Sequence, residues 1–111
     1  MNIQQLTHQI DAAYRARGLD SVEADATETG YDPARRVTVT HDDTQHVLVV
    51  VDTAEGVYAM TGISEADGTV YWNAANGEPA GVVREVIQFT SQFGVRHLHG
   101  DVQRITDEWM S

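Results

Sequence analysis

The chain has 111 residues, with 17 acidic and 7 basic side chains, a formal net charge of −10 and no cysteine. All seven basic residues are arginine. The length suits one domain (residues 1–111) with one hydrophobic core, and a 41% apolar fraction argues against general disorder. The negative charge disfavours nucleic-acid backbones and anionic membranes as partners. The lack of cysteine excludes disulfides and cysteine-ligated metals.

The absence of lysine has two general explanations, a GC-rich genome that favours arginine codons or a salt-adapted proteome. Selection for an acidic surface is the alternative. The first five residues lack the basic start and apolar core of a signal peptide, and the longest apolar run is residues 47–51. A cytoplasmic location and no membrane association are therefore expected.

The chain begins with an expected amphipathic helix over residues 2–17. Ile3, Leu6 and Ile10 recur at helical spacing, and Asn2 followed by Gln5 has the pattern of a capping box. The next residues, 18–34, predict either an acidic loop or a weak edge strand. Because alanine and aspartate are weak strand formers, the loop is favoured.

Four strands and two further helices follow. The strands are expected at residues 36–41, 46–52, 57–63 and 69–73, separated by short turn-forming segments typical of an antiparallel meander. A loop at 74–78 precedes a helix over 81–93, then a short extended piece at 95–99. Asp101 is expected to cap the last helix. The fold class is therefore α+β, an N-terminal helix, a four-stranded antiparallel meander and two C-terminal helices packed on the sheet.

The two faces of this sheet can be assigned by parity. Pairing Val39 with Val47 places five valines on one face, continuing to Tyr58, Met60 and Tyr71. The opposite face is too apolar for water, so either a helix covers it or it forms an interface. A homodimer through this face is the second outcome. The residues expected to form that dimer contact are Leu48, Val50, Ile63 and Trp72.

Histidines supply two weak candidates for a metal site. His97 and His99, followed by Asp101, would share one side of an extended segment and resemble part of the His-x-His-x-Asp-His signature of metallo-β-lactamase-fold hydrolases. Val102 stands where the closing histidine of that signature would be.

The second pair is His41 and His46, which flank two aspartates across the first predicted hairpin. Each pair is more readily explained as ordinary turn and strand-end chemistry. No metal or other cofactor is therefore assigned. Serine elbows and phosphate-binding glycine loops are also absent from the sequence.

The acidic residues are unevenly distributed. No basic residue occurs between positions 37 and 83, and in a meander the first and third turns meet at one end of the sheet. Asp42 and Asp43 would then lie near Glu65 and Asp67, forming a docking surface for a basic partner, with Trp72 as an apolar contact.

These features rank three hypotheses. The first is a small non-enzymatic interaction module that binds, and regulates or inhibits, a basic macromolecular partner, a protein rather than a nucleic acid. Phage and mobile-element inhibitors such as anti-CRISPR proteins, and toxin-immunity proteins, offer an analogy in size and charge. The second is a small-ligand or metal-dependent site between sheet and helices, enzymatic or not, using the histidines above with Tyr58, Tyr71 or Trp72. The third is the homodimer.

Overall fold

A computed structural model describes residues 1–74 and 77–111 of the chain. The helices are α1 (Ile3–Ala16), α2 (Pro79–Ser91) and α3 (Leu98–Met110), with a short 3-10 turn at Thr27–Thr29. The strands are β1 (Asp20–Asp25), β2 (Ala34–His41), β3 (Thr44–Thr53), β4 (Gly56–Glu65) and β5 (Gly68–Ala74). The radius of gyration is 12.8 Å. The loop predicted at residues 74–78 includes positions 75 and 76, which lie outside the described residues.

The predicted α+β class is confirmed, with one antiparallel meander in the order β1-β2-β3-β4-β5. The strand number differs from the prediction because β1 is a strand and not the favoured acidic loop. β1 pairs along its length with β2, from Asp20 opposite Thr40 to Asp25 opposite Arg35. Strand pairing therefore overrides the weak intrinsic propensity of its alanine and acidic residues.

Helix α1 forms as its sequence predicts. The Asn2 side chain accepts a hydrogen bond from the Gln5 backbone at 2.8 Å, and the Gln5 side chain accepts from the Asn2 backbone at 2.9 Å. This reciprocal capping satisfies two backbone donors that a helix start leaves free. Its apolar stripe, including Leu6 and Ile10, is fully buried against the sheet.

The C-terminal region departs from prediction. The expected extended piece at 95–99 is instead the approach to α3, which already begins at Leu98. His97 occupies the N-cap position with a φ of 69°, and Asp101 lies within the first turn rather than at the cap. A carboxylate in a first helical turn is still favoured by the helix dipole. The paired arrangement expected for His97 and His99 on a strand is therefore wrong.

The register of the first hairpin is one residue away from that predicted. The loop contains only Asp42 and Asp43, so Val39 lies opposite His46 and Val37 lies opposite Leu48. A shift of one residue moves a side chain to the other face of a sheet. Val37 and Val39 consequently belong to the face that carries Leu48, not to the face that carries Val47.

Helices α1 and α2 pack on that first face, and α3 packs against both of them. The main core joins valines and leucine of the sheet to the apolar sides of α1, α2 and α3, with Tyr14, Phe89 and Phe93 at its centre. The Tyr14 hydroxyl and the Thr90 hydroxyl form a buried hydrogen bond of 2.6 Å. Burying each large apolar side chain of this core contributes roughly 1.5–3 kcal/mol before conformational entropy is subtracted.

The opposite face holds a smaller apolar cluster. Val47, Val49 and Val51 are buried among neighbouring side chains that include Tyr58 and Met60. The predicted continuation from β3 to Tyr58, Met60 and Tyr71 is therefore confirmed. No helix within residues 1–74 and 77–111 has the length and apolar character needed to span a membrane.

Candidate functional site

Many carboxylates outside the hairpin turns are neutralised by arginine. Arg35 donates to Asp25 at 2.6 Å and to Glu23 at 2.9 Å across the β1–β2 pair. Arg36 donates to Glu28 at 2.7 Å. The acidic segment after α1, expected to add to an unbalanced negative surface, is therefore substantially compensated.

The β2–β3 turn and the β4–β5 turn, which are the first and third hairpin turns of the predicted four-stranded meander, lie at the same end of the sheet. Asp43 and Glu65 line one shallow groove there, and Asp42 and Asp67 are exposed in the same two turns. Within residues 1–74 and 77–111, no arginine lies at ion-pair distance from these four carboxylates. We call them the acidic turn surface. Their charges are available to an external cation, since among the described residues the one basic group near them is His41 Nε2, at 3.4 Å from Asp42.

The first of these turns has an unusual backbone for its sequence. Asp42 and Asp43 have φ angles of 50° and 63°. A two-residue hairpin with positive φ at both positions usually carries Asn-Gly, because most L-residues disfavour the left-handed region. Aspartate tolerates it better than most, so the turn accommodates two adjacent charges at a modest conformational cost.

Trp72 lies on β5 at an irregularity in the sheet. Thr61 pairs with Asn73 and Gly62 pairs with Tyr71, so Trp72 is the extra residue of a β-bulge. The strands approach so closely here that a Cβ on residue 62 would lie 1.9 Å from the Val70 carbonyl oxygen. Glycine at position 62 is therefore required by the bulge that displays Trp72.

The indole of Trp72 is largely open to solvent. α2 packs over β3 and β4, while Val70 and Trp72 on β5 remain 42% and 64% exposed. An exposed tryptophan on a rigid sheet is a typical anchor of protein interfaces, since it supplies a large contact area with little loss of conformational freedom.

A small cleft of about 190 Å³ separates Trp72 from α2. Its remaining lining is His46, Thr61, Gly62, Asn73, Gln88, Phe89 and Gln92. The cleft thus combines an aromatic wall with an imidazole, a hydroxyl and three carboxamides. Near its edge the Thr61 hydroxyl lies 3.4 Å from a carboxylate oxygen of Glu85.

His46 connects this cleft to a histidine–phenylalanine cluster. The rings of His41 and His46 are 6.5 Å apart and each meets Phe93 edge-on at 5.4 Å. Burial lowers the pKa of His46, and the neighbouring His41 lowers it further, while Asp42 and a hydrogen bond with Gln92 act in the opposite direction. His46 is therefore predominantly neutral at neutral pH.

The other candidates from the sequence lie elsewhere. Tyr58 and Tyr71 contribute to the second apolar cluster on the far side of the sheet, and His97 and His99 are exposed at the start of α3. Burial raises the pKa of Tyr71, an effect that nearby Glu28 increases and Arg36 opposes. In the part of the chain that the structure describes, no three His, Asp or Glu side chains gather in a way that would hold a metal ion.

The four residues expected to form a dimer face do not form one continuous surface. Leu48 and Val50 are fully buried under the protein's own helices. Ile63 is half-buried, and only Trp72 is widely exposed. The protein's own helices thus cover the central strand of the apolar face predicted from the sequence and leave the part near β5 open.

Sequence reasoning missed the α2 side of this site. Gln88 and Gln92 are four residues apart, and α2 turns them toward the cleft on its polar side. Their spacing was readable from the sequence, but the bulge that places Trp72 opposite them was not. In comparisons with protein-family models, curated proteins and solved structures, the chain matches none.

Proposed function

We propose that this protein is a non-enzymatic interaction module that binds an arginine- or lysine-rich protein partner, and regulates or inhibits it, through the acidic turn surface and Trp72. The single observation that carries the proposal is a 64% exposed tryptophan, held on a β-bulge of the strand that follows the β4–β5 turn, whose carboxylates lie at ion-pair distance from no arginine among the described residues. A location in the cytoplasm remains a prediction.

The two parts of this surface have different physical roles. Exposed carboxylates attract a basic partner over several ångströms and raise its association rate in a salt-dependent manner. Trp72 supplies apolar contact that persists after the partner has docked. An acidic rim beside an aromatic anchor is the usual anatomy of an interface between proteins, where charges lie at the rim and aromatic residues near the centre.

A small-ligand site is less well supported by the same geometry. The cleft beside Trp72 measures about 190 Å³. Sites that enclose a drug-sized ligand are generally about 300–1,000 Å³. The cleft suits one side chain of a larger partner better than it suits a free metabolite.

The proposal is tested with a fluorescent peptide of alternating arginine and glycine, titrated with the full chain at low and high salt. One variant neutralises the acidic turn surface through Asp42→Asn, Asp43→Asn, Glu65→Gln and Asp67→Asn. The expected result is a loss of roughly tenfold or more in low-salt affinity, because several Coulomb interactions of about 0.5–1 kcal/mol each are removed.

A matched control removes the same number of charges from exposed positions elsewhere. It carries Asp52→Asn, Glu55→Gln, Glu78→Gln and Glu108→Gln. If both variants lose affinity equally, binding follows net charge alone and the proposed surface is wrong. Affinity that does not change between low and high salt would also contradict it.

A further inference from the structure

The cleft between Trp72 and α2 has a distinct chemical character from the acidic turn surface beside it. Its wall is an exposed indole, and its polar lining consists of the Thr61 hydroxyl, the His46 imidazole and the carboxamides of Asn73, Gln88 and Gln92. The Gln92 carboxamide already bonds within the chain, to the Phe89 carbonyl at 2.9 Å and to His46, so Asn73 and Gln88 are the carboxamides offered to a ligand. Carboxamide oxygens accept hydrogen bonds, and an indole face attracts cations through its quadrupole. This lining therefore favours a planar cation that donates several hydrogen bonds.

The electrostatic surroundings agree with a cationic occupant. The Thr61 hydroxyl in the lining lies 3.4 Å from a carboxylate oxygen of Glu85, and no arginine is among the described residues that line the cleft. His46 in the wall is mainly neutral at neutral pH, so it does not repel a cation. Glu65 follows Gly62 by three residues along β4, about 10 Å at the usual rise of a strand.

We propose that this cleft holds the guanidinium group of one arginine from the basic partner, stacked on Trp72 and hydrogen-bonded to the carboxamides of Asn73 and Gln88. The inference rests on the proposed function and specifies which residue of the partner is selected. Arginine fits better than lysine, because a guanidinium is planar, stacks on aromatic faces and presents five donors in a fixed arrangement. The ammonium group of lysine is compact, strongly hydrated and unable to stack.

The test uses nuclear magnetic resonance of the full chain with three short peptides that differ at one central residue, arginine, lysine or citrulline. Citrulline keeps the planar shape of arginine but is uncharged. The arginine peptide is expected to shift the Trp72 indole N–H and the side-chain amides of Asn73 and Gln88. Trp109, on α3 and outside the cleft, should not shift and serves as an internal reference.

The expected preference for the arginine peptide over the lysine peptide is roughly three- to tenfold, the range that a cation–π contact with stacking provides. In Trp72→Ala this preference should disappear, whereas the salt dependence from the acidic turn surface should remain. The Trp72→Phe variant should retain part of the preference, because phenylalanine keeps an aromatic face.

Three results would overturn the inference. Equal shifts with the citrulline peptide would identify a site for neutral planar groups, and shifts confined to the hairpin turns would show that the cleft is unused. An unchanged arginine preference in Trp72→Ala would show that the guanidinium does not stack on Trp72. In each case a salt-dependent loss of binding in the acidic turn variant would still support the electrostatic part of the proposed function, whereas binding that ignores both salt and the acidic turn variant would contradict the proposed function itself, so the two failures are distinguishable.

Discussion

Carboxylates in two regions of this molecule have opposite surroundings. Beside α1 and along β1, Asp11, Glu23 and Asp25 accept hydrogen bonds from arginine or hydroxyl donors, as Asp11 does from Arg15 at 2.9 Å and from Ser21 at 2.5 Å. At the β2–β3 and β4–β5 turns, acidic side chains are exposed and no arginine among the described residues lies at ion-pair distance from them. Aspartate and glutamate therefore stabilise the fold in one region, and in the other they carry a charge that no arginine among the described residues neutralises.

In a chain of net charge −10, this difference separates carboxylates that are paired within the protein from carboxylates that are available to an outside cation. An ion pair that is satisfied internally adds little to the field felt by an approaching molecule, because its charges cancel at short range. The field of an unpaired carboxylate is screened progressively over a Debye length of about 8–10 Å at moderate salt, so it acts on a molecule that approaches within that distance. The acidic composition is thus less informative than the pairing, which the sequence alone does not show.

The largest expected effect comes from removing a structural carboxylate. In Asp11→Ala the buried Ser21 hydroxyl loses its acceptor and Arg15 loses its partner. The expected cost is about 1–3 kcal/mol of unfolding free energy, the penalty of leaving a buried polar group unsatisfied. Urea unfolding measures it as a lower midpoint with an unchanged slope.

The control for this prediction is Asp67→Ala in the acidic turn surface. Its side chain is exposed, so the unfolding free energy should change by no more than about 0.5 kcal/mol. A cost for Asp67→Ala as large as that of Asp11→Ala would break the distinction between the two regions.

Local sequence signals predicted most of the secondary structure but not the features that depend on long-range pairing. The capping box at Asn2 and the meander followed from nearest neighbours along the chain. β1 was the less favoured of two predictions for its segment, because its stability comes from pairing with β2 and from Arg35, which lies outside the local window. The register was off by one residue because aspartate pairs rarely form a two-residue turn with positive φ.

The candidate site shows the same division. Asp42, Asp43, Glu65 and Asp67 were identified from turn positions, and the structure places them at one end of the sheet as a meander requires. A site between sheet and helices that uses His46 and Trp72 was among the hypotheses from the sequence, but its geometry was not predicted, because a β-bulge has no reliable local signature. Gly62 marks the position of the bulge only in the folded structure, where a Cβ at residue 62 would clash with the backbone of β5.

Acid pH should weaken the structural region selectively. Burial acts to raise the pKa of Glu23, but hydrogen bonds and charges from His8 and Arg35 outweigh it, so the pKa is lowered. The hydrogen bond from Arg17, together with its charge, lowers the pKa of Asp101 despite slight desolvation. Folded-state pKa values below the unfolded values mean that the unfolded chain binds protons first.

The stabilisation from these two groups is therefore complete above their unfolded pKa values of about 4 and is lost as pH falls through the lower folded values. Unfolding free energy measured between pH 6 and pH 2 should decrease, and Glu23→Gln should reduce that dependence. Glu65→Gln in the acidic turn surface should leave it nearly unchanged. A larger effect from Glu65→Gln would contradict the assignment of Glu23 to the structural set.

The smallest expected effect is an increase in the unfolding free energy and not a decrease. Asp43→Gly should stabilise the fold by about 0.5 kcal/mol, because glycine relieves the left-handed backbone at φ 63°, partly offset by the greater entropy of its unfolded chain. Asp43→Asn removes the charge but keeps a residue that tolerates this backbone, so it should change stability less than Asp43→Gly does. Chemical unfolding of the two variants separates backbone relief from loss of charge.

The same two variants connect stability to binding. Both should bind the arginine–glycine peptide more weakly than the unaltered chain at low salt, since each lacks one carboxylate of the acidic turn surface. A variant that folds more stably but binds less well would show that the charge at position 43 serves recognition at the expense of turn geometry. If Asp43→Gly instead loses stability, the acidic turn is itself a structural element, and the contrast between the two regions does not hold at this position.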